Sequence, residues 1–347
     1  MSRTQLNEAV EMYDEPVYRS PSGKPTMALA VDKRSVGTVQ PIGLVREIVK
    51  RVGDVETAGY VDRSRLVVVK GSEDGLHWEM DNELKMGGLE DEIVGRIQPR
   101  NTEFIGPEDP DIFIEGGTTH VYFTIPFLSN DGKGSSIHLG HAQGVGLDSL
   151  RATNLVLSPI NRNRLDSPGY KEVSILPATC NRTRIALCES SDTDHARNVG
   201  VSTIVSARFN DMGEGWAVLG TVANPANLGI EWCGEHLSPG PIFDPTMASF
   251  KGYFVGIANG RSPSRDGVYG RFTAGLMLID PRTGKIPWIS PKPLVDDPKA
   301  RTITFASDFV RTGEREGILY AHVDDSFVRA YNIDLSKLAY RMPSKDF

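Results

Sequence analysis

The sequence predicts an all-β protein assembled from short antiparallel sheets, and three observations carry that expectation. Glycine (35 residues) and proline (22 residues) are spread along the 347-residue chain, which interrupts it before long helices can form. The segments between them are rich in β-branched and aromatic residues, as in Arg65-Leu66-Val67-Val68-Val69, His120-Val121-Tyr122-Phe123-Thr124-Ile125, Tyr253-Phe254-Val255-Gly256-Ile257 and Ala274-Gly275-Leu276-Met277-Leu278-Ile279, the composition of strands. Turn signals recur between such runs, at Glu73-Asp74-Gly75, Asn130-Asp131-Gly132, Asp211-Met212-Gly213, Asp266-Gly267 and Asp280-Pro281-Arg282-Thr283-Gly284. Strand pairs joined in this way along the whole chain fit small sheets repeated around an axis, as in a β-propeller, where edges stay short and protected. Two packed sheets would give a similar texture, and pattern alone leaves both open.

From the N-terminus, Met1 to Lys33 is the one candidate appendage. The chain divides into an N-terminal extension over 1–39 and a single domain over 40–347, on which the extension packs. Gly43 to Arg51 is the one stretch with a helical reading, although its apolar pairs Leu44-Val45 and Ile48-Val49 suit a strand equally. No later stretch resembles an interdomain linker, and closed all-β domains commonly run this long.

With 39% hydrophobic and 24% charged residues the composition is that of a globular chain with a large core. Lys and Arg total 38 against 45 Asp and Glu, a net charge of -7. Such a charge offers no attraction to phosphate backbones or anionic lipid, so nucleic acid and membrane partners are disfavoured. Met1 to Asp14 carries Glu8, Glu11 and Asp14 without an apolar run, which speaks against a secretory signal at this end. Cys180, Cys188 and Cys233 lack CxxC spacing; free thiols in a reducing, cytoplasmic compartment fit better than a disulfide framework or a zinc knuckle. His138 and His141 lie three apart in a strand-like segment and point to opposite faces, so no metal site is expected there. Gly132-Lys133-Gly134-Ser135-Ser136 lacks the spacing and the following helix of a phosphate loop. No cofactor is expected, and self-association into a homo-oligomer is left open.

Two constellations carry candidate chemistry. Gly106-Pro107-Glu108-Asp109-Pro110-Asp111 places three carboxylates in one tight turn before a strand. Crowded carboxylates raise one another's pKa, and a carboxyl kept protonated near neutral pH can protonate a leaving group; a solvated acidic loop is the bland alternative. Glu231-Trp232-Cys233-Gly234-Glu235-His236-Leu237-Ser238-Pro239-Gly240-Pro241 joins an aromatic ring, a histidine and acids in a Pro/Gly-rich loop. That mixture suits either a rim where a sugar stacks or a rigid connection.

Read in order, these segments resemble glycoside hydrolase family 130, the β-mannoside phosphorylases and related hydrolases. Asp62-Arg63-Ser64-Arg65-Leu66 and Ser72-Glu73-Asp74-Gly75 are similar to its Ser-Arg strand and Ser-x-Asp-Gly turn. Glu103 with Glu108-Asp109-Pro110 resembles its Glu-Asp-Pro-Arg motif, and Lys171-Glu172-Val173-Ser174-Ile175-Leu176-Pro177 its Lys-Asp strand. Ser238-Pro239-Gly240-Pro241-Ile242, Gly275 to Asp280, Ser290-Pro291-Lys292-Pro293-Leu294 and Tyr320-Ala321-His322-Val323-Asp324 resemble later segments of the same family. The resemblance implies a five-bladed β-propeller acting on an oligosaccharide. It implies Asp109 as catalytic acid, Glu108 as its electrostatic support, Arg65 and Asp324 as sugar-holding residues, and Lys171 in the substrate site.

This chain also departs from the family's pattern. Asp111 stands where the motif continues with Arg, and positions that in the phosphorylases hold cations around phosphate align here with Glu189, His236 and Asn259. Binding a dianion needs clustered positive donors, and an acid in that shell repels it. The expectation is therefore an inverting hydrolase of a β-mannoside or related β-linked oligosaccharide. Glu189 is the candidate base that activates water opposite the leaving group, and Glu235 is the second choice. A phosphorylase drawing on Arg162, Arg164, Arg182, Arg184 or Arg197, and a propeller that binds a glycan or protein without cleaving it, are the alternatives.

Overall fold

The computed structural model describes residues 1–56, 60–159, 165, 169–178, 183–191, 202–265 and 268–344. Five antiparallel sheets stand around a common axis as the blades of a five-bladed β-propeller. The first blade comprises Thr26–Val31, Ile42–Val52, Val61–Gly71 and Trp78–Glu83. Glu108–Glu115, Thr118–Ser129, Ser135–Gly144 and Arg151–Leu157 form the second, with Thr102–Phe104 pairing on the far end of its second strand. The third is Tyr170–Ile175, Arg184–Ser190, Thr203–Phe209 and Ala217–Ala223. His236–Ile242, Tyr253–Arg261, Phe272–Ile279 and Trp288–Ile289 make the fourth, and Thr304–Arg311, Glu316–Val323 and Phe327–Asp334 begin the fifth.

Residues 1–39, read from sequence as an extension, are distributed over two blades. Val10–Tyr13 pairs with the last strand of the fifth blade, Met12 opposite Tyr331, and Arg3–Asn7 adds the outermost strand. Thr26–Val31 is the innermost strand of the first blade. The ring is thus closed by strand pairing between the two ends of the chain. Gly43 to Arg51 lies within a strand, because the blade is covered on both sides: Leu44 packs toward the second blade and Val45 toward the fifth. A strand sandwiched this way reads as a continuous apolar run, which periodicity cannot separate from a helix. The sequence reading missed the short helical segment Leu89–Val94 and Gly95–Ile97, which buries Leu89, Ile93 and Val94 against the second blade.

Each major hydrophobic cluster fills the space between two neighbouring blades. A buried ionic joint locks the closure. Arg329, 2% exposed, donates through Nη1 to the carbonyl oxygens of Tyr13 and Asp14, and its Nε lies 2.7 Å from Oδ2 of the fully buried Asp297. Tyr331 donates its hydroxyl to the same carboxylate at 2.7 Å. Removing one partner of such a pair leaves an uncompensated buried charge. Arg329→Met is expected to lower unfolding stability by about 3–5 kcal/mol in denaturant titrations; a loss under about 1 kcal/mol would show that Asp297 does not depend on this guanidinium.

Candidate active site

All five inner strands carry a break in register at about the same height: between Met27 and Ala30, Glu108 and Asp111, Lys171 and Val173, Pro239 and Ile242, and Ala306 and Asp308. A bulge bends the strand and re-aims a side chain. Three bulge residues adopt left-handed backbone, Ala28 at φ 55°, Asp109 at φ 46° and Glu172 at φ 48°. Ala28, Asp109, Glu172, Gly240 and Ser307, one from each blade, line an axial cavity of about 270 Å³.

At the end where the inner strands begin, a buried charge network runs across four blades. Arg46, from the second strand of the first blade, donates through Nη1 to Asp109 Oδ1 at 2.8 Å, through Nη2 to Glu108 Oε1 at 2.6 Å, and through Nε to Ser64 Oγ at 2.8 Å. On the third blade Lys171 Nζ lies 3.6 Å from Glu189 Oε1. Glu189, 3% exposed, accepts a hydrogen bond from the Ser238 hydroxyl, and its Oε2 is 3.1 Å from His236 Nε2 on the fourth blade. Of the residues expected from sequence, Glu108, Asp109, Lys171, Glu189 and His236 are therefore brought together.

Burial sets the protonation of this network. It pushes the Glu108 carboxyl up to about 7 against the pull of Arg46, with the charge of Asp109 adding to the rise. Burial and then Asp109 hold the Glu172 carboxyl well above the usual range. For Glu189 burial acts in the same sense, but His236 and Lys171, with the hydrogen bonds from His236 and Ser238, outweigh it and keep this carboxyl ionised. Burial lowers the His236 imidazole, whose neutral form is thereby favoured although Glu189 pulls the other way.

The remaining expected residues lie elsewhere. Asp111 lines the axial cavity further down, beside Asp308 and Lys33, which pair with each other. Arg65 donates through Nε to Glu47 and through Nη1 to Glu83, both at 2.7 Å. The Asp324 carboxylate accepts from the backbone N–H groups of Arg301, Thr302 and Ile303. Asn259, with no exposed surface, makes two hydrogen bonds to the backbone of Ala306, at 2.8 and 2.9 Å, and so ties the fourth blade to the fifth. Asn259 is thus taken up by backbone, and Asp324 by backbone and by the Arg301 guanidinium, whose Nε lies 3.6 Å from Oδ2. Glu235 accepts from Ser264 N at 2.9 Å and Oγ at 2.8 Å, outside the network.

Sequence reasoning missed Arg46 and the orientation of Glu172. Arg46 hides in the run Gly43-Leu44-Val45-Arg46-Glu47-Ile48-Val49, where a charge amid apolar residues was the one signal. It also missed a neighbouring cluster in which Tyr60 donates to Asp325 at 2.7 Å and His322 Nε2 lies 3.2 Å from the same carboxylate. Arg162, Arg164, Arg182, Arg197 and Cys180 fall outside the described residues. Cys188 and Cys233 are buried free thiols. His138 and His141 bond within the second blade, His141 to His120 and Thr153, and His138 to Ser136 and Ser158. Among the described residues no group of three or more His, Cys, Asp or Glu is arranged to hold a metal ion.

No family model and no curated protein sequence matches this chain. Solved structures match it over nearly its whole length at low identity. The β-1,2-mannobiose phosphorylase of Listeria innocua, solved with β-1,2-mannobiose, is 14% identical with a TM-score of 0.64, over 97% of this chain and 94% of that one. A mannose phosphorylase from Leishmania mexicana, solved with a phosphate ion, is 13% identical with a TM-score of 0.56, over 96% and 92%. The arabinanase Arb43A of Bacillus subtilis is 14% identical with a TM-score of 0.53, over 92% and 97%. The fold is thus the propeller used by glycoside hydrolases and phosphorylases, including those of glycoside hydrolase family 130.

The cavity wall gives a pH signature. Burial pushes the Asp111 carboxyl up to about 7, with Asp308 adding to the rise and Lys33 opposing it. Between its unfolded value of 3.8 and about 7, the folded chain keeps a proton that the unfolded chain has released, so this carboxyl's contribution to stability declines as pH rises through that window. Asp111→Asn is expected to match wild type near pH 4 and to exceed it by about 1–3 kcal/mol at pH 8, after allowance for its partial exposure. Parallel pH–stability curves for the two proteins would contradict the assignment.

Proposed function

We propose that this protein hydrolyses a β-mannoside or a related β-linked oligosaccharide with inversion, in the axial site. The observation that carries the reading is the pairing of Glu108 and Asp109 with one guanidinium, Arg46, and the nearby Glu172, with Glu108 and Glu172 pushed toward the protonated form and Asp109 on the cavity wall. Glu108 and Glu172 hold the protons, and Asp109, on the cavity wall beside them, relays one to the glycosidic oxygen. Glu189 and His236 serve as the water-activating pair: the neutral imidazole accepts the proton and the ionised carboxylate stabilises the imidazolium that results. In this scheme Lys171 links the two halves by holding Glu189.

Charge balance favours water over phosphate as the attacking group. Both cations of the network are already compensated, Arg46 by Glu108 and Asp109, and Lys171 by Glu189. A phosphate dianion there would face carboxylates with no surplus positive charge to hold it.

Asp109→Asn is expected to lower kcat on a β-1,2-linked mannobiose or a related β-mannoside by at least about 10³-fold with an unchanged circular dichroism spectrum. Wild type is expected to release free sugar at the same rate with and without phosphate; accumulation of sugar 1-phosphate would establish phosphorolysis instead. Binding of these sugars without bond cleavage in either buffer would make the chain a glycan-binding propeller. Glu189→Gln is expected to lose turnover and to regain it with azide, giving a glycosyl azide of inverted configuration. Loss without azide rescue would reduce Glu189 to a partner of Lys171.

A further inference from the structure

A second concave surface lies at the outer junction of the third and fourth blades, a groove of about 1040 Å³. Four cations line it, Arg184, Arg208, Arg282 and Lys285, and among the described residues neither a carboxylate side chain nor an aromatic ring does. In a chain of net charge -7 this is a local inversion of sign. Arg184 is paired with Glu115, whereas Arg208, Arg282 and Lys285 are exposed and have no carboxylate partner among the described residues. The turn carrying Arg282 and Lys285 is fixed: around the place where a Cβ would stand on Gly284, at φ 70°, lie Ile185, Ser206 and Leu187 of the third blade, the first two under 3 Å away. The cations are therefore presented by a packed hairpin and a sheet. Thr183, Ser206, Thr221 and Thr283 add hydroxyls along the same walls.

We propose that this groove is a binding site, separate from the axial site, for an oligosaccharide that carries carboxylate or sulfate groups. Guanidinium forks match such anions in geometry and charge, and threonine and serine hydroxyls match sugar hydroxyls. Its volume holds several sugar units, in the range of ordinary ligand sites. An acidic peptide fits less well. It would bind by adding a strand to the sheet edge, and the edge strand here, Ala217–Ala223, has two breaks in register and Gly220 at φ 141°. Single-stranded nucleic acid would lack aromatic platforms for its bases. Pro177 lines both this groove and the axial cavity, so a bound chain would lie beside the third blade's inner strand.

The test is calorimetric titration of the full chain, at low salt, with a galacturonic acid hexamer, a heparin-derived hexasaccharide, neutral mannohexaose and hexaglutamate. At least one acidic hexasaccharide is expected to bind about 10-fold or more tightly than mannohexaose, with affinity falling as salt rises. The triple variant Arg208→Ser/Arg282→Ser/Lys285→Ser should erase that preference without changing the melting temperature, and Asp109→Asn should retain it. The uronate and sulfate arms decide which anion is read. Equal binding of neutral and acidic sugars, an undiminished preference in the triple variant, loss of the preference in Asp109→Asn, or hexaglutamate binding as tightly as the sugars would each overturn the proposal.

Discussion

Five register breaks at one height on the inner strands are the constraint on which the site depends. A regular strand points alternate residues into the two blade interfaces, so a carboxylate at Asp109 or Glu172 would be aimed at apolar packing. The bulge turns it to the axis. Left-handed backbone at a residue with a side chain costs on the order of 1–3 kcal/mol and persists only where the surroundings determine it. The neighbouring blades provide that determination, because each inner strand is clamped between its own sheet and the strands beside it.

Turning acids inward creates an electrostatic problem that the blade interfaces solve. Glu108, Asp109, Glu172 and Glu189 approach one another in a region poor in water, where Arg46 and Lys171 are the cations that compensate them. Full ionisation is too costly with two cations for four carboxyls, so protons remain on the network at neutral pH. Glu189 keeps its charge because Lys171, His236 and Ser238 converge on it. The same shortage of positive charge therefore divides the cluster into a proton-holding side at Glu108 and Glu172 and an ionised side at Glu189.

The fold was largely legible in the sequence, and the site only in part. Punctuation by glycine and proline, with strand-like runs between them, led to an all-β chain, while the number of blades came from resemblance. The division at residue 39 failed because ring closure is a non-local event: nothing in Val10 to Tyr13 announces a partner more than three hundred residues away. Motif order located Glu108, Asp109, Lys171, Glu189 and His236, which the structure joins. It carried Asp324 to the sugar subsite and Asn259 to a position that holds a phosphate-binding cation in the family; in the structure Asp324 accepts from backbone N–H groups and Asn259 bonds the backbone of Ala306, and a sequence shows which residue is polar but not which partner it meets. Arg46 escaped notice because its role arises from a second blade that supplies the carboxylates.

Retention of protons by the axial carboxyl network at neutral pH underlies all of this chemistry, and nuclear magnetic resonance of carboxyl-labelled glutamate would test it most directly. Assigned by comparison with Glu108→Gln and Glu189→Gln, the Glu108 signal should titrate with a midpoint near 7, while that of Glu189 stays ionised well below the ordinary carboxylate range. Both signals titrating together near 4.5, the ordinary glutamate value, would contradict it.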